Sequence, residues 1–353
     1  MKNRDRRREE ARILQWCCSH KGPFIVIETQ FQRLIRKIDV LSGRPMICST
    51  PKDESRIHQN TLLRSLQRGF TLTEVMTVIA VVGVLLAIII PSLKSLSDQA
   101  AGATELAAAR QLSQGYVGYA TDTNGELMPG YLSQSPGDEH YEGNYDVQGP
   151  DGNLLGGPAK RRWTWRILPY LDDAVDSLFV NEARQYIDQR RGTDGFAYLT
   201  SVFPSFGLNG EWIGGMQGSI YGDLHTLGRF TGQCYYAQRL AEVQRPADQL
   251  LFGSSRGGGP QGDSDVEGFF FIQSPYYLTT GWRWAEDEDG GPLYEEPLAP
   301  SKSGYLSLRI RGKSATSMLD GSTALRSMQE LADMRLWTNQ AWKPDWVLDL
   351  QNP

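Results

Sequence analysis

The sequence predicts an α+β fold. One long N-terminal helix, half membrane-spanning and half amphipathic, packs on a loop-rich, mostly antiparallel β-sheet domain. Three observations carry this reading. Phe70 to Ile90 is an apolar run of 21 residues, long enough at about 1.5 Å per residue to cross a hydrocarbon core of about 30 Å. Residues 92 to 120 keep apolar side chains at helical spacing and are rich in alanine, which favours helix. Past residue 120 the chain turns to Gly, Pro, Asp and aromatic residues in short runs divided by turn signals, a pattern of short strands and long loops.

Charge divides the chain at the same place. Residues 1 to 69 hold 15 Lys+Arg and 7 Asp+Glu, a balance of +8; the remaining 21 basic and 34 acidic residues give -13. A basic flank before the span and an acidic domain after it place the N-terminus in the cytoplasm and the C-terminal domain outside. The expected organisation is therefore a cytoplasmic leader, 1 to 69, then a helix, 70 to 120, with its membrane span at 70 to 90, then an extracytoplasmic domain, 121 to 353. The acidic exterior argues against nucleic-acid binding, which needs a basic patch. The arginines at 4, 6, 7, 8 and 12 read as an untranslated or disordered segment before they read as a nucleic-acid arm. A start at Met46 would leave a leader of 24 residues.

Glu74 breaks the apolar run. A carboxylate in a bilayer is costly, so it needs a partner and a function. Its surroundings are Arg68-Gly69-Phe70-Thr71-Leu72-Thr73-Glu74. A basic residue before Gly, then Phe-Thr-Leu-x-Glu and some twenty apolar residues, resembles the processing signal of type IV pilins and type II secretion pseudopilins. The resemblance implies that a prepilin peptidase/methyltransferase recognises Arg68, cuts between Gly69 and Phe70, and methylates the new Phe70 amine. It implies a pilin-like fold and assembly with other pilin-like subunits, as a homo- or hetero-polymer, from the inner membrane. Glu74 becomes the assembly residue, because the Phe70 amine of one subunit can lie against Glu74 of the next and each neutralises a charge that is costly alone. A plain single-span anchor is the alternative.

Beyond the span, Pro91 is placed to bend the helix. Leu93, Leu96, Ala100, Ala103, Ala107 and Tyr116 form the expected apolar stripe, with Lys94, Asp98, Gln99, Glu105 and Arg110 between them. Thr121 to Gly125 ends the helix. Residues 163 to 170 suit a strand or short helix, and 176 to 190 a surface helix. Short β-type runs follow from 198 to 252, clearest at 234 to 236 and 250 to 252. Residues 253 to 268 read as a glycine-rich loop, 269 to 272 as an apolar strand, and 305 to 310 as an alternating strand. Residues 314 to 326 read as a hairpin turning at Asp320-Gly321, and a short helix with a Trp-rich tail closes the chain. Tyr119 to Asp122, Trp163 to Leu171, Phe206 to Asn209 and Leu319 to Ser322 resemble phrases of a large-ectodomain, pseudopilin-like group. Many of its members have a His ten residues before the Asp-Gly, where this chain has Ile310.

Other chemistry is sparse. Asp263, Asp265 and Glu267, and likewise Asp122, Asn124 and Glu126, place oxygen ligands at alternate positions, as a Ca²⁺ site needs. Neither follows the full twelve-residue loop pattern, and a solvated acidic loop is the plainer reading. Gly253-Ser254-Ser255-Arg256-Gly257 has Gly-x-Ser-x-Gly spacing without strand-to-helix context. His225 precedes Ser255, the wrong order for that hydrolase class. No enzymatic activity is expected. Cys17, Cys18 and Cys48 fall in the leader, so Cys234 has no intrachain partner after cleavage, and burial is its expected fate. The many tryptophans suit an aromatic core, although an exposed row could stack on sugars or grip a protein. An extracytoplasmic binding protein or enzyme that borrows the signal for export is the competing function.

Overall fold

The computed structural model describes residues 71–172, 175–218, 224–258, 265–276, 283–294 and 298–349. Arg68, Gly69, Phe70 and Asp263 lie outside them. The chain divides into two compact units between Val75 and Met76.

Helix α1, Leu72–Asp122, is 51 residues long and runs through Pro91 as one element. It ends where Asn124 and Gly125 take left-handed backbone, φ 56° and 86°, and the Gly125 N–H caps the Ala120 carbonyl at 2.6 Å. Short helices follow: α2 Gly157–Arg161, α3 Trp163–Ile167, α4 Asn181–Asp188, α5 Phe196–Val202 and α6 Leu224–Thr231, with α7, Met328–Leu331, near the C-terminal end.

The main sheet is antiparallel and has four strands in the order β1-β2-β5-β6. These are β1 Phe206–Leu208, β2 Leu250–Ser254, β5 Ser314–Met318 and β6 Thr323–Arg326. The hairpin β5–β6 pairs Ser314 with Arg326 and Ser317 with Thr323. Gly321, at φ 85°, makes its turn, and Asp320 Oδ1 accepts from the Ser322 N–H at 2.8 Å. A second pair, β3 Arg256–Gly258 and β4 Asp265–Glu267, is also antiparallel. The α+β architecture expected from the sequence is the one observed.

Local expectations fare unevenly. The 253–268 segment is no simple loop, because it holds the end of β2 and both strands of the second pair. Residues 163–167 are helical, since Trp163, Thr164, Trp165 and Ile167 all find burial on a single short turn. Tyr198 lies in α5, and 234–236 forms no strand. Residues 269–272 run beside β1 through a single bridge, Leu208 with Phe271. Gly207 permits that approach: a Cβ there would lie 2.6 Å from the Phe271 carbonyl carbon. Residues 305–310 make isolated bridges only, because Tyr305 adopts φ 60° and breaks the extended backbone. Cys234 is exposed, not buried; its Sγ donates to the Tyr236 carbonyl at 3.1 Å, and partial burial raises its pKa.

Two aromatic clusters form the core. In the first, Tyr116 of α1 meets Phe252 edge-on at 6.0 Å and Trp163 meets Phe252 at 5.0 Å. The second gathers Trp212, Trp284 and Trp337 with Leu250 and Met318. Among the described residues five tryptophans are thus buried, as an aromatic core requires.

Candidate functional segment: the two halves of α1

The first turn of α1 is fastened by its own side chains. The Thr71 N–H and Oγ1 both donate to Glu74 Oε2, each at 2.8 Å, and the Glu74 N–H donates back to Thr71 Oγ1 at 3.3 Å. This is a capping box, Thr-x-x-Glu, and it satisfies backbone donors that a helix start leaves open. The spacing is legible in Thr71-Leu72-Thr73-Glu74, yet the sequence reading took Glu74 only as an assembly residue. Both side chains are exposed, and Glu74 Oε1 accepts no hydrogen bond among the described residues.

The following stretch is apolar on every side. Met76, Val78, Ile79, Val84, Ile88 and Ile90 are each about three-fifths exposed, and the best window of the helix has mean hydropathy 2.7 with no part of it buried. A helix hydrophobic all round belongs inside a bilayer or among other helices.

Farther along, α1 packs on its own domain, but not through the expected stripe. Leu93, Leu96, Ala100, Ala103 and Ala107 are exposed, and only Tyr116 of that set is buried. The buried stripe runs through Gly102, Glu105, Ala109, Leu112, Tyr116 and Ala120, also at spacings of three and four, with Ala108, Ser113, Gly115 and Tyr119 buried beside it. The correction turns on Glu105. Read as part of the polar face, it is in fact fully buried. Its Oε1 accepts from Arg309 Nε at 2.6 Å and its Oε2 from Ser254 Oγ at 2.7 Å. Arg309 also donates to the carbonyls of Ser255 and Ser205, at 3.1 and 3.0 Å. A charge buried with a bonded counter-ion is tolerable where a lone one is not. Nearby, Arg311 donates to the Ser95 carbonyl at 2.7 Å and lies 3.6 Å from Asp98. A Cβ on Gly102 would sit 3.1 Å from Ile310, so glycine allows close approach of the 309–311 turn. Farther down, Ser113 donates to the Met318 carbonyl and Tyr116 to that of Met128, both at 2.8 Å. A Glu at the 3-4 spacing of Gly102, Ala109 and Leu112 was the available signal for this lock.

Among the described residues, Ser255 and the two histidines make separate hydrogen bonds. Ser255 is buried, and its hydroxyl donates to the carbonyls of Phe269 and Pro204 and accepts from the Phe269 N–H. His225 bonds to Tyr236 and His140 to Tyr145. Neither histidine bonds to Ser255, whose hydroxyl ties the junction of β2 and β3 to residue 269. Asp265 and Glu267 lie on β4. Among the described residues no group of three His, Cys, Asp or Glu is placed to hold a metal.

Residues 64–90 match the family model for the prokaryotic N-terminal methylation motif. The match spans the Gly69-Phe70 junction, Glu74 and the exposed apolar half of α1, so the chain carries the type IV pilin and pseudopilin signal. No curated protein and no solved structure matches the chain.

Proposed function

We propose that this chain is a prepilin-type structural subunit. A prepilin peptidase cuts it after Gly69, the Phe70 amine is methylated, and α1 carries it into a pseudopilus or type IV pilus-like fibre serving secretion or attachment. The observation that supports this most is a coincidence in register. The matched motif, residues 64–90, takes in the apolar stretch of α1 from Met76 to Ile90 that finds no cover in its own chain.

The chemistry follows from charge. The basic leader stays in the cytoplasm and the acidic domain is exported. Cleavage creates a cationic amine at the membrane edge, a few residues from Glu74. Thr71 occupies Glu74 Oε2 but leaves Oε1 open, so a neighbour's amine can pair there without dismantling the cap. The exposed Leu93, Leu96, Ala100, Ala103 and Ala107 extend the same apolar surface past the bilayer, and the small alanines permit close helix packing. The protein needs no catalytic group of its own.

Gly69→Ala tests processing. The wild-type protein is expected to yield a mature chain beginning at methylated Phe70 by mass spectrometry, and the variant to keep its leader. A variant processed like wild type overturns the cleavage assignment. Glu74→Ala should be cleaved normally yet be absent from sheared fibres, and normal incorporation would sink its assembly role. Immunogold labelling with an antibody to residues 121 to 353 then reads the place in the fibre. Continuous labelling marks a major subunit, end labelling a tip subunit, and none marks an anchor that does not polymerise.

A further inference from the structure

Five tryptophans are buried; Trp342 is not. It is 75 % exposed, although a large aromatic surface left in water forgoes roughly 2 kcal/mol or more of burial. It lines a cleft of about 540 Å³ with Trp346, Tyr235, Gln233, Gln340 and Asp349, within the size range of small-ligand sites. Trp346 is held from behind by Trp212, edge-on at 5.8 Å. Gln340 Nε2 donates to the Tyr235 carbonyl at 3.2 Å, which fixes the carboxamide and leaves its oxygen open. Gln233 is exposed and its side chain makes no hydrogen bond among the described residues. Among the described residues the cation beside the indole is Lys343, 5.5 Å from the ring and 3.3 Å from Asp345, so it brings no unbalanced positive charge.

Flat indole faces interleaved with amide and carboxylate groups suit a ligand that is itself apolar on its ring faces and hydroxylated at its edges. A lipid tail or apolar helix would leave the amides unsatisfied. An anion would find the Lys343 ammonium already paired with Asp345. We propose that the Trp342 cleft is a binding site for neutral saccharides, with Trp342 and Trp346 stacking on pyranose rings and Gln233 and Gln340 bonding the hydroxyls. The site lies wholly on the 121–353 domain, so it stands whether or not α1 assembles.

The full chain, held in zwitterionic micelles without sugar headgroups, would be titrated calorimetrically with cellohexaose, whose rings present flat apolar faces, and with glucose. The expected result is cellohexaose binding with Kd of about 0.1–1 mM and weaker glucose binding. Trp342→Ala, at an exposed position, should keep the native circular dichroism and lose affinity at least tenfold; Gln340→Ala should lose several-fold. No cellohexaose binding up to about 10 mM, or equal affinity in Trp342→Ala, overturns the proposal. So does Trp342-dependent binding to phosphatidylglycerol vesicles in the absence of sugar binding.

Discussion

The two halves of α1 are one continuous helix in two different solvents. Around residues 76 to 96 the apolar side chains stand open, Val78, Ile88, Leu93 and Leu96 at 58–64 % exposure. From 102 to 120 a 3-4 stripe is buried against the sheet domain. Each half carries one acid in an apolar setting. Glu105 has its cation in the same chain, 2.6 Å away. Among the described residues Glu74 is bonded by the hydroxyl and amide of Thr71. The difference separates folding from assembly. Glu105, with its counter-ion in the chain, belongs to the fold; on the proposed function Glu74 is the acid that serves a neighbouring subunit's amine.

That contrast breaks most sharply at Glu105. Glu105→Ala strands the largely covered Arg309 guanidinium and should cost about 3 kcal/mol, read as a lower midpoint in chemical denaturation. Glu105→Gln keeps the hydrogen bond from Ser254 and should cost less. Glu74→Ala removes one exposed arm of a capping box and should leave the midpoint close to wild type, while abolishing fibre incorporation. Equal destabilisation by the two alanines would erase the distinction.

A second test uses pH. His140 is buried in the domain, and burial, then Arg166 and His225, push its pKa down to about 4, although Glu126 lies 3.3 Å away. Glu126 is itself pushed up, by burial first and then by Glu139, which limits its pull. Between pH 4 and 6.5 the unfolded chain binds a proton that the folded chain refuses. Stability therefore rises with pH across that window and is complete above it, by at most about 3 kcal/mol. His140→Gln should flatten this part of the profile. Midpoints compared at pH 7 and 4.5 check it, and the Glu74 variants should follow the wild-type curve.

Much of this was legible in sequence, and the failures share a cause. Span, processing signal and hairpin at Asp320-Gly321 rest on local pattern: a hydropathy run, a short motif, a turn that needs positive φ at Gly321. The stripe of α1 does not. Leu93 and Leu96 look like core and Glu105 like surface, until Arg309, some two hundred residues away, is placed beside it. Burial of a charge is decided by its partner, and partners this distant leave no periodicity. The 253–268 strands were hidden because glycine has poor strand propensity and the pairing partner supplies the order. The capping box at Thr71 was readable and eclipsed by the acid's other role. Trp342 could not be told from its buried counterparts, since exposure of a tryptophan leaves no trace in composition.

The smallest effect sharpens where the energy of the 309–311 turn resides. Arg311 touches α1 at Ser95 and Asp98, but both charged side chains are nearly half exposed, and such pairs contribute about 0–1 kcal/mol. Arg311 also holds φ 53°, a conformation that costs a residue with a Cβ about 1 kcal/mol. Arg311→Ala loses the contacts and keeps the strain, so it should destabilise by up to about 1 kcal/mol. Arg311→Gly loses the same contacts but releases the strain, and should lie near wild type. Denaturation midpoints ordered wild type, Gly, Ala would place the hold on α1 in the buried Glu105–Arg309 pair. A Gly variant as damaged as Glu105→Ala would move it to the exposed one.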